Sequence, residues 1–245
     1  MWRASTRLEV RRSGDLPASV EDDTFTTALW QFALARKLAS DWTLVARNDL
    51  LNTHYVARGD VFQNRFQVGV AYRDTESHRV SALAKIEFKR ERDASSLTEG
   101  ELRTQATVLS THADYHPSTP WWVTGRAAAK WQTDQRQGAA PDSVRPRFVA
   151  GRVVHALNGD WDLGALVAAQ LGSGERQRAL GAEVGYLVRQ NLWLAVGWNF
   201  TGFRGDADLI GSEYTQRGAY LRLRFKFDED LFGSRRADLN RSLDR

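Results

Sequence analysis

From Trp2 almost to the end of the chain, apolar and polar residues exchange places at every second position. A period of two puts successive side chains on opposite faces of an extended backbone, so the pattern demands strands and leaves little room for helices. Near the C-terminus Ala219, Leu221, Leu223, Phe225 and Phe227 share one face, and Tyr220, Arg222, Arg224 and Lys226 share the other. Val80, Ala82, Ala84, Ile86 and Phe88 oppose Ser81, Lys85, Glu87 and Lys89 in the same way. The pattern predicts about twelve strands, over 2–12, 26–37, 42–50, 65–73, 79–89, 102–115, 121–131, 147–156, 161–171, 178–188, 192–201 and 218–227. In 147–156 an arginine, Arg152, lies mid-run among Val and Ala, and the facing stays open.

The connections between these runs alternate in length. Leu38–Asp41, Asp74–His78, His116–Pro120, Leu157–Asp160 and Arg189–Asn191 are short. Ser13–Phe25, Arg90–Glu101, Gln132–Pro146 and Gly202–Arg217 are longer and polar, with Gly172–Gln177 the short exception. Short turns at one end and long loops at the other belong to an up-and-down barrel in the outer membrane, with periplasmic turns and extracellular loops. Composition allows this. A mean hydropathy of −0.48 and no long apolar run exclude transmembrane helices, whereas a barrel strand needs only about 9–11 residues, half of them apolar.

Alternation alone also fits a soluble barrel with an apolar interior. Placement of the aromatics argues for the membrane. On the apolar face Trp2, Trp42, Tyr72, Tyr115, Trp121, Trp161, Tyr186 and Phe227 fall at the short-turn end, and Phe66, Phe88, Trp131 and Phe200 at the other, with Leu, Val and Ala between. Two rings of amphipathic aromatics flanking an aliphatic band form a girdle at the two headgroup levels. The opposite face would then line a polar lumen. Its basic residues include Arg7, Lys85, Arg126, Lys130, Arg222, Arg224 and Lys226; its acidic residues include Glu9, Glu87, Asp114 and Glu183. Small residues such as Ala128, Gly181 and Gly197 leave room for long Arg side chains. The cationic balance of this face, with a net charge of +4 for the chain, would favour anions in a pore. If the arginines pair across a closed interior, it would conduct nothing.

Chemistry beyond this is sparse. With no Cys, disulfides, thiolate metal sites and cysteine nucleophiles are excluded. Ser110, His112 and Asp114 share one strand face, but side chains two apart on a strand stand roughly 7 Å from one another and do not make a triad unaided. His54, expected in a loop, and His78, His116 and His155 near strand ends lack metal-ligand spacing. Asp206, Asp208 and Glu213 lie in a long connection without the spacing of an EF-hand, which points to a solvated loop. Neither a catalytic residue, a metal nor a cofactor is expected, and no nucleic-acid motif appears.

Three stretches, Asn191-Leu192-Trp193-Leu194, Trp198-Asn199-Phe200-Thr201-Gly202-Phe203 and Tyr220–Phe227, resemble the C-terminal region of large proteobacterial outer-membrane proteins. His112–Pro117, Pro120-Trp121-Trp122 and Gly125-Arg126 resemble an earlier part of it. Such proteins are loosely labelled outer-membrane or TonB-dependent receptor-like. A full receptor of that kind needs about 22 strands and a plug, so its activity is not carried over. The last strand, with Phe225 and Phe227, is similar to the signal read by the barrel assembly machinery, although a polar tail, 233–245, follows.

The expectation is an all-β transmembrane barrel over 1–232 in the bacterial outer membrane. Its environment would be outer-membrane lipid and lipopolysaccharide. The start Met1-Trp2-Arg3-Ala4-Ser5 carries no apolar signal core, so the expectation is a fragment, a mature form, or the C-terminal part of a longer protein with a passenger or periplasmic domain upstream. The barrel then acts as the anchor of a larger protein, or alternatively as a narrow anion-preferring pore; a hydrolase is the remote third reading.

Overall fold

The computed structural model describes residues 2–13, 24–56, 58–96, 100–172, 175–189, 192–211 and 215–225. Among these the strands are β1 (Trp2–Ser13), β2 (Phe25–Lys37), β3 (Trp42–Tyr55), β4 (Val61–Arg73), β5 (Val80–Asp93), β6 (Leu102–Ser118), β7 (Trp121–Arg136), β8 (Asp142–Val144), β9 (Arg147–Ala156), β10 (Trp161–Gly172), β11 (Glu175–Arg189), β12 (Leu192–Thr201) and β13 (Gly218–Phe225). One short helix, α1 (Ala207–Ile210), precedes β13. Strands pair with their sequence neighbours from β1 to β7 and from β9 to β13; β7 also pairs β9, and β8 pairs β7 off this path. The sheet is antiparallel and up-and-down, with registers such as Trp161↔Tyr186 and Trp198↔Ala219.

All twelve predicted strands are present, and β8 is an addition inside the 132–146 connection. Gly138, at φ 79°, helps turn the chain there, and Asp142, Ser143 and Val144 fold back on Asp134, Thr133 and Gln132. Several strands outrun their predicted ends, notably β3, β4, β5 and β7. The backbone ladder continues there although the outward residues have turned polar, so the apolar signal fades before the strand does. His54 accordingly lies in β3 rather than in a loop, and His116-Pro117-Ser118 belong to β6, leaving Thr119-Pro120 as the turn.

Two of the short turns are built by side-chain caps. Asn158 Oδ1 accepts from the amides of Asp160 and Trp161, both at 2.9 Å. Asp74 Oδ1 accepts from Glu76 N at 3.1 Å and Ser77 N at 3.0 Å. Such Asx turns hold the chain in a tight reversal without a long loop.

The described residues fall into two compact units. The first holds those of Met1–Ala71, Ala84–Leu109 and Lys130–Arg145; the second holds those of Tyr72–Leu83, Ser110–Ala129 and Pro146–Arg245. In the second unit burial alternates residue by residue. Trp161, Leu163, Val167 and Leu171 of β10 are exposed, while Asp162 is 1% exposed and Gly164, Leu166 and Ala168 are buried. On β12 Val196, Trp198 and Phe200 are exposed, and Asn199 is wholly buried. The same rule gives β9 its facing: Phe148, Ala150 and Val154 turn inward with Arg152, whereas Val149 and Val153 face out. The first unit behaves alike on β5, where Glu87 is buried and Phe88 is exposed.

This is the reverse of a water-soluble fold, which buries Leu, Val and Phe and solvates its charges. Leaving one large apolar side chain in water forgoes about 1.5–3 kcal/mol. A continuous outward band of them calls for an apolar surrounding.

Candidate functional site: the polar face

Each unit organises its polar face around buried carboxylates. In the first, Glu87 is met by Arg65 Nε at 3.0 Å, Lys89 Nζ at 3.3 Å and Lys85 Nζ at 3.5 Å. Lys130, on the inward parity of β7, is buried too. On β1, Glu9 is engaged by both Arg7 and Arg11, and here both arginines are exposed.

In the second unit Glu183 is the centre. Tyr220 donates its hydroxyl to Glu183 Oε2 at 3.0 Å, and Arg152 and Arg222 approach the carboxylate at 3.9 Å each. Glycines make the space. Gly164 is the β10 partner of Glu183, and a Cβ there would come within 2.6 Å of Glu183 Cγ. Gly197 lies beneath the Tyr220 ring, and Gly181 beside the Asn199 amide. These two therefore accommodate a ring and an amide, not the long Arg side chains expected of them. Arg152 pairs with a carboxylate two strands away, which is why the local pattern left its facing open.

Asp114 forms a second node. It accepts from Thr124 Oγ1 at 3.0 Å, Trp122 Nε1 at 3.1 Å and Ser81 Oγ at 3.4 Å. His112 Nε2 lies 3.2 Å from Asp114 Oδ2, the oxygen that Ser81 also meets. The roughly 7 Å separation expected along the strand is thus overcome by side chains that lean together. Ser110 is buried on the same strand parity, and among the described residues no hydrogen bond joins it to His112.

The connection after β12 was expected to be solvated, and it is so only in part: Arg204, Ala207, Gln216 and Arg217 are exposed. Phe203, Leu209 and Thr215 are buried. Asp206 caps α1 by accepting from Asp208 N at 2.9 Å. Arg126, on the polar face of β7, donates from Nε to Leu209 O at 2.8 Å and so holds the end of α1. The segment folds onto the polar face, where Gly205 abuts Gln170 of β10 and Gly211 abuts the Arg126 guanidinium. Glu213 lies outside the described residues.

The predicted aromatics stand on the other face. Trp2, Trp42, Phe66, Phe88, Tyr115, Trp121, Trp131, Trp161, Tyr186 and Phe200 are exposed, and Tyr72 is half-buried. Several pair across strands: Trp161 with Tyr186 at 4.8 Å, Phe66 with Phe88 at 6.4 Å, and Trp121 with the His155 ring at 4.2 Å. Arg36 lies over Trp2. Lys226 and Phe227 lie outside the described residues, as do the side chains of Arg224 and Phe225. The residues missed by the sequence patterns are Tyr220, Trp122 and Leu209. Only the first two carried a signal, a ring on the polar parity of a strand.

No family model matches the sequence, and no curated protein is significantly similar to it. Solved structures are. The siderophore receptor PirA from Pseudomonas aeruginosa aligns at TM-score 0.59 and 11% identity, over 76% of this chain and 35% of the receptor. The alcaligin outer-membrane receptor FauA from Bordetella pertussis aligns at TM-score 0.51 and 14% identity, over 81% of this chain and 38% of the receptor. The fold is that of outer-membrane β-barrel proteins. This chain spans little more than a third of the length of either receptor. An outer-membrane barrel turns apolar residues to lipid and charges to its interior, which accounts for the inverted burial of both units.

Proposed function

We propose that the chain closes into a β-barrel in the bacterial outer membrane, with short periplasmic turns and longer extracellular loops, and serves as the membrane anchor of a larger protein. The observation that carries the anchor reading is the state of the polar face in the second unit. Glu183 is tied to Tyr220, Arg152 and Arg222, and Arg126 is spent on the carbonyl of an inward-folded connection. Charges committed to one another do not offer a passing ion a hydrated path. The resemblance to the C-terminal region of large outer-membrane proteins favours a passenger or periplasmic domain as the thing anchored, and the last strand favours insertion by barrel assembly machinery.

A second reading, an anion-preferring pore, is favoured by the excess of cations at two nodes of the first unit, three around Glu87 and two around Glu9. Conductance across a planar bilayer separates the two. An anchor is silent when refolded protein is added, and steady anion-selective current would overturn it. Catalysis has no support beyond the His112–Asp114 contact, and only lipid hydrolysis lost on His112→Ala would revive it.

A further inference from the structure

Past the Phe66–Phe88 pair the outward face of the first unit changes chemistry. On β5 Phe88 is followed on the same parity by Arg90 and Arg92; on β6 that face carries Arg103 and Gln105; on β7 Trp131 is followed by Thr133 and Gln135. These polar side chains are exposed and line one cavity of about 1020 Å³.

Its guanidiniums are unevenly paired. Arg92 pairs with Glu101 at 2.9 Å, and Arg103 pairs with the same carboxylate, so one negative charge serves two guanidiniums. Arg90 makes no ion pair among the described residues. Two carboxylates lie on the lining itself: Asp60, which meets His54 at 2.7 Å and also lies within the field of Arg92, and Glu91, which accepts from Gln63 Nε2 at 2.9 Å. At a rise of about 3.4 Å per residue, Arg90 stands roughly 7 Å and Arg92 roughly 14 Å beyond Phe88. If the exposed rings mark the edge of the hydrocarbon, these guanidiniums fall in the headgroup layer. A guanidinium fork matches phosphate oxygens two at a time, and amide and hydroxyl side chains both donate to and accept from sugar hydroxyls.

We propose that this cavity binds the phosphorylated sugar headgroup of an anionic outer-leaflet glycolipid. Arg90, Arg92 and Arg103 take the phosphates, and Gln105, Thr133 and Gln135 take the sugar hydroxyls. The assignment rests on the membrane reading above.

The test uses full-length protein refolded in detergent and mixed with bis-phosphorylated lipid A, its dephosphorylated form, or phosphatidylcholine, with retained lipid read by native mass spectrometry. Wild type should retain bis-phosphorylated lipid A about tenfold over both others, and R90Q/R92Q/R103Q should lose about tenfold of that retention. Equal retention of the three lipids by wild type overturns the proposal, and this arm needs no variant to fold. Unchanged retention by a variant that keeps the wild type's heat-modifiable migration overturns it as well. Displacement of lipid A by millimolar inorganic phosphate would mark a site for soluble anions and also overturn it. Failure of the membrane reading shows separately, as wild type with no heat-modifiable migration and no flotation with vesicles.

Discussion

At the scale of single residues, the buried carboxylates decide most. Glu183 is 2% exposed at its side chain and is shared by two arginines and a tyrosine. Removing one member of a buried charge cluster leaves the rest uncompensated, at a cost of about 3–5 kcal/mol. Glu183→Ala should therefore lower the urea midpoint of refolded protein far more than Tyr220→Phe, which forfeits one hydrogen bond and about 1–3 kcal/mol. Equal midpoints for the two variants would contradict the arrangement. Asp74 offers a test by pH. The Ser77 hydroxyl, and then the Ser77 amide, hold its carboxyl at about 2. Because the folded pKa is depressed, the turn's contribution is fully present above the ordinary aspartate value of about 4 and is lost as pH falls through about 2. The Ser77 amide resonance should titrate with a midpoint of about 2 in wild type and stay flat in Asp74→Asn. A wild-type midpoint of about 4 would remove the cap.

At the scale of elements, legibility followed how far each signal travels along the chain. The strands could be read because their signal repeats every two residues and needs no partner. Their ends could not, since outward residues such as Arg90 and Gln135 are polar while the ladder beneath them continues. Of the polar face, the nodes at Glu87 and Glu183 stood among the predicted interior residues, but which groups meet there depends on neighbouring strands. The connection holding α1 was the least legible. Phe203 and Leu209 are buried in a segment whose helix end is held by Arg126, far away in sequence. Leu209 is wholly buried, and Leu209→Ala should cost about 2–5 kcal/mol locally by opening a cavity. The expected readout is faster hydrogen exchange across 203–211 with exchange in β10 unchanged. Uniform acceleration over both segments would mean that the connection is not a separate packing unit.

At the scale of the whole molecule, one choice separates this protein from a soluble β-sheet: which face meets the solvent, and what that solvent is. Val167 puts the question to a single position. It is 55% exposed, on the apolar face of β10. It lies six residues from Trp161, about 20 Å along the strand and, with a tilt of about 40°, roughly 15 Å above the turn-end aromatics. That is near the midplane of the apolar band. An arginine facing lipid at this depth costs about 2–4 kcal/mol, whereas at an aqueous surface the same change is nearly free. Val167→Arg should therefore refold normally in a loose detergent micelle yet insert into bilayers with a yield several-fold below wild type. Arg176, an exposed residue at the start of β11, supplies the control, because Arg176→Glu changes charge outside the band and should insert as wild type does. Equal insertion of wild type and Val167→Arg would mean that the outward apolar face of β10 never touches lipid, and the exposed valines and leucines beside it would then need a protein surface to cover them.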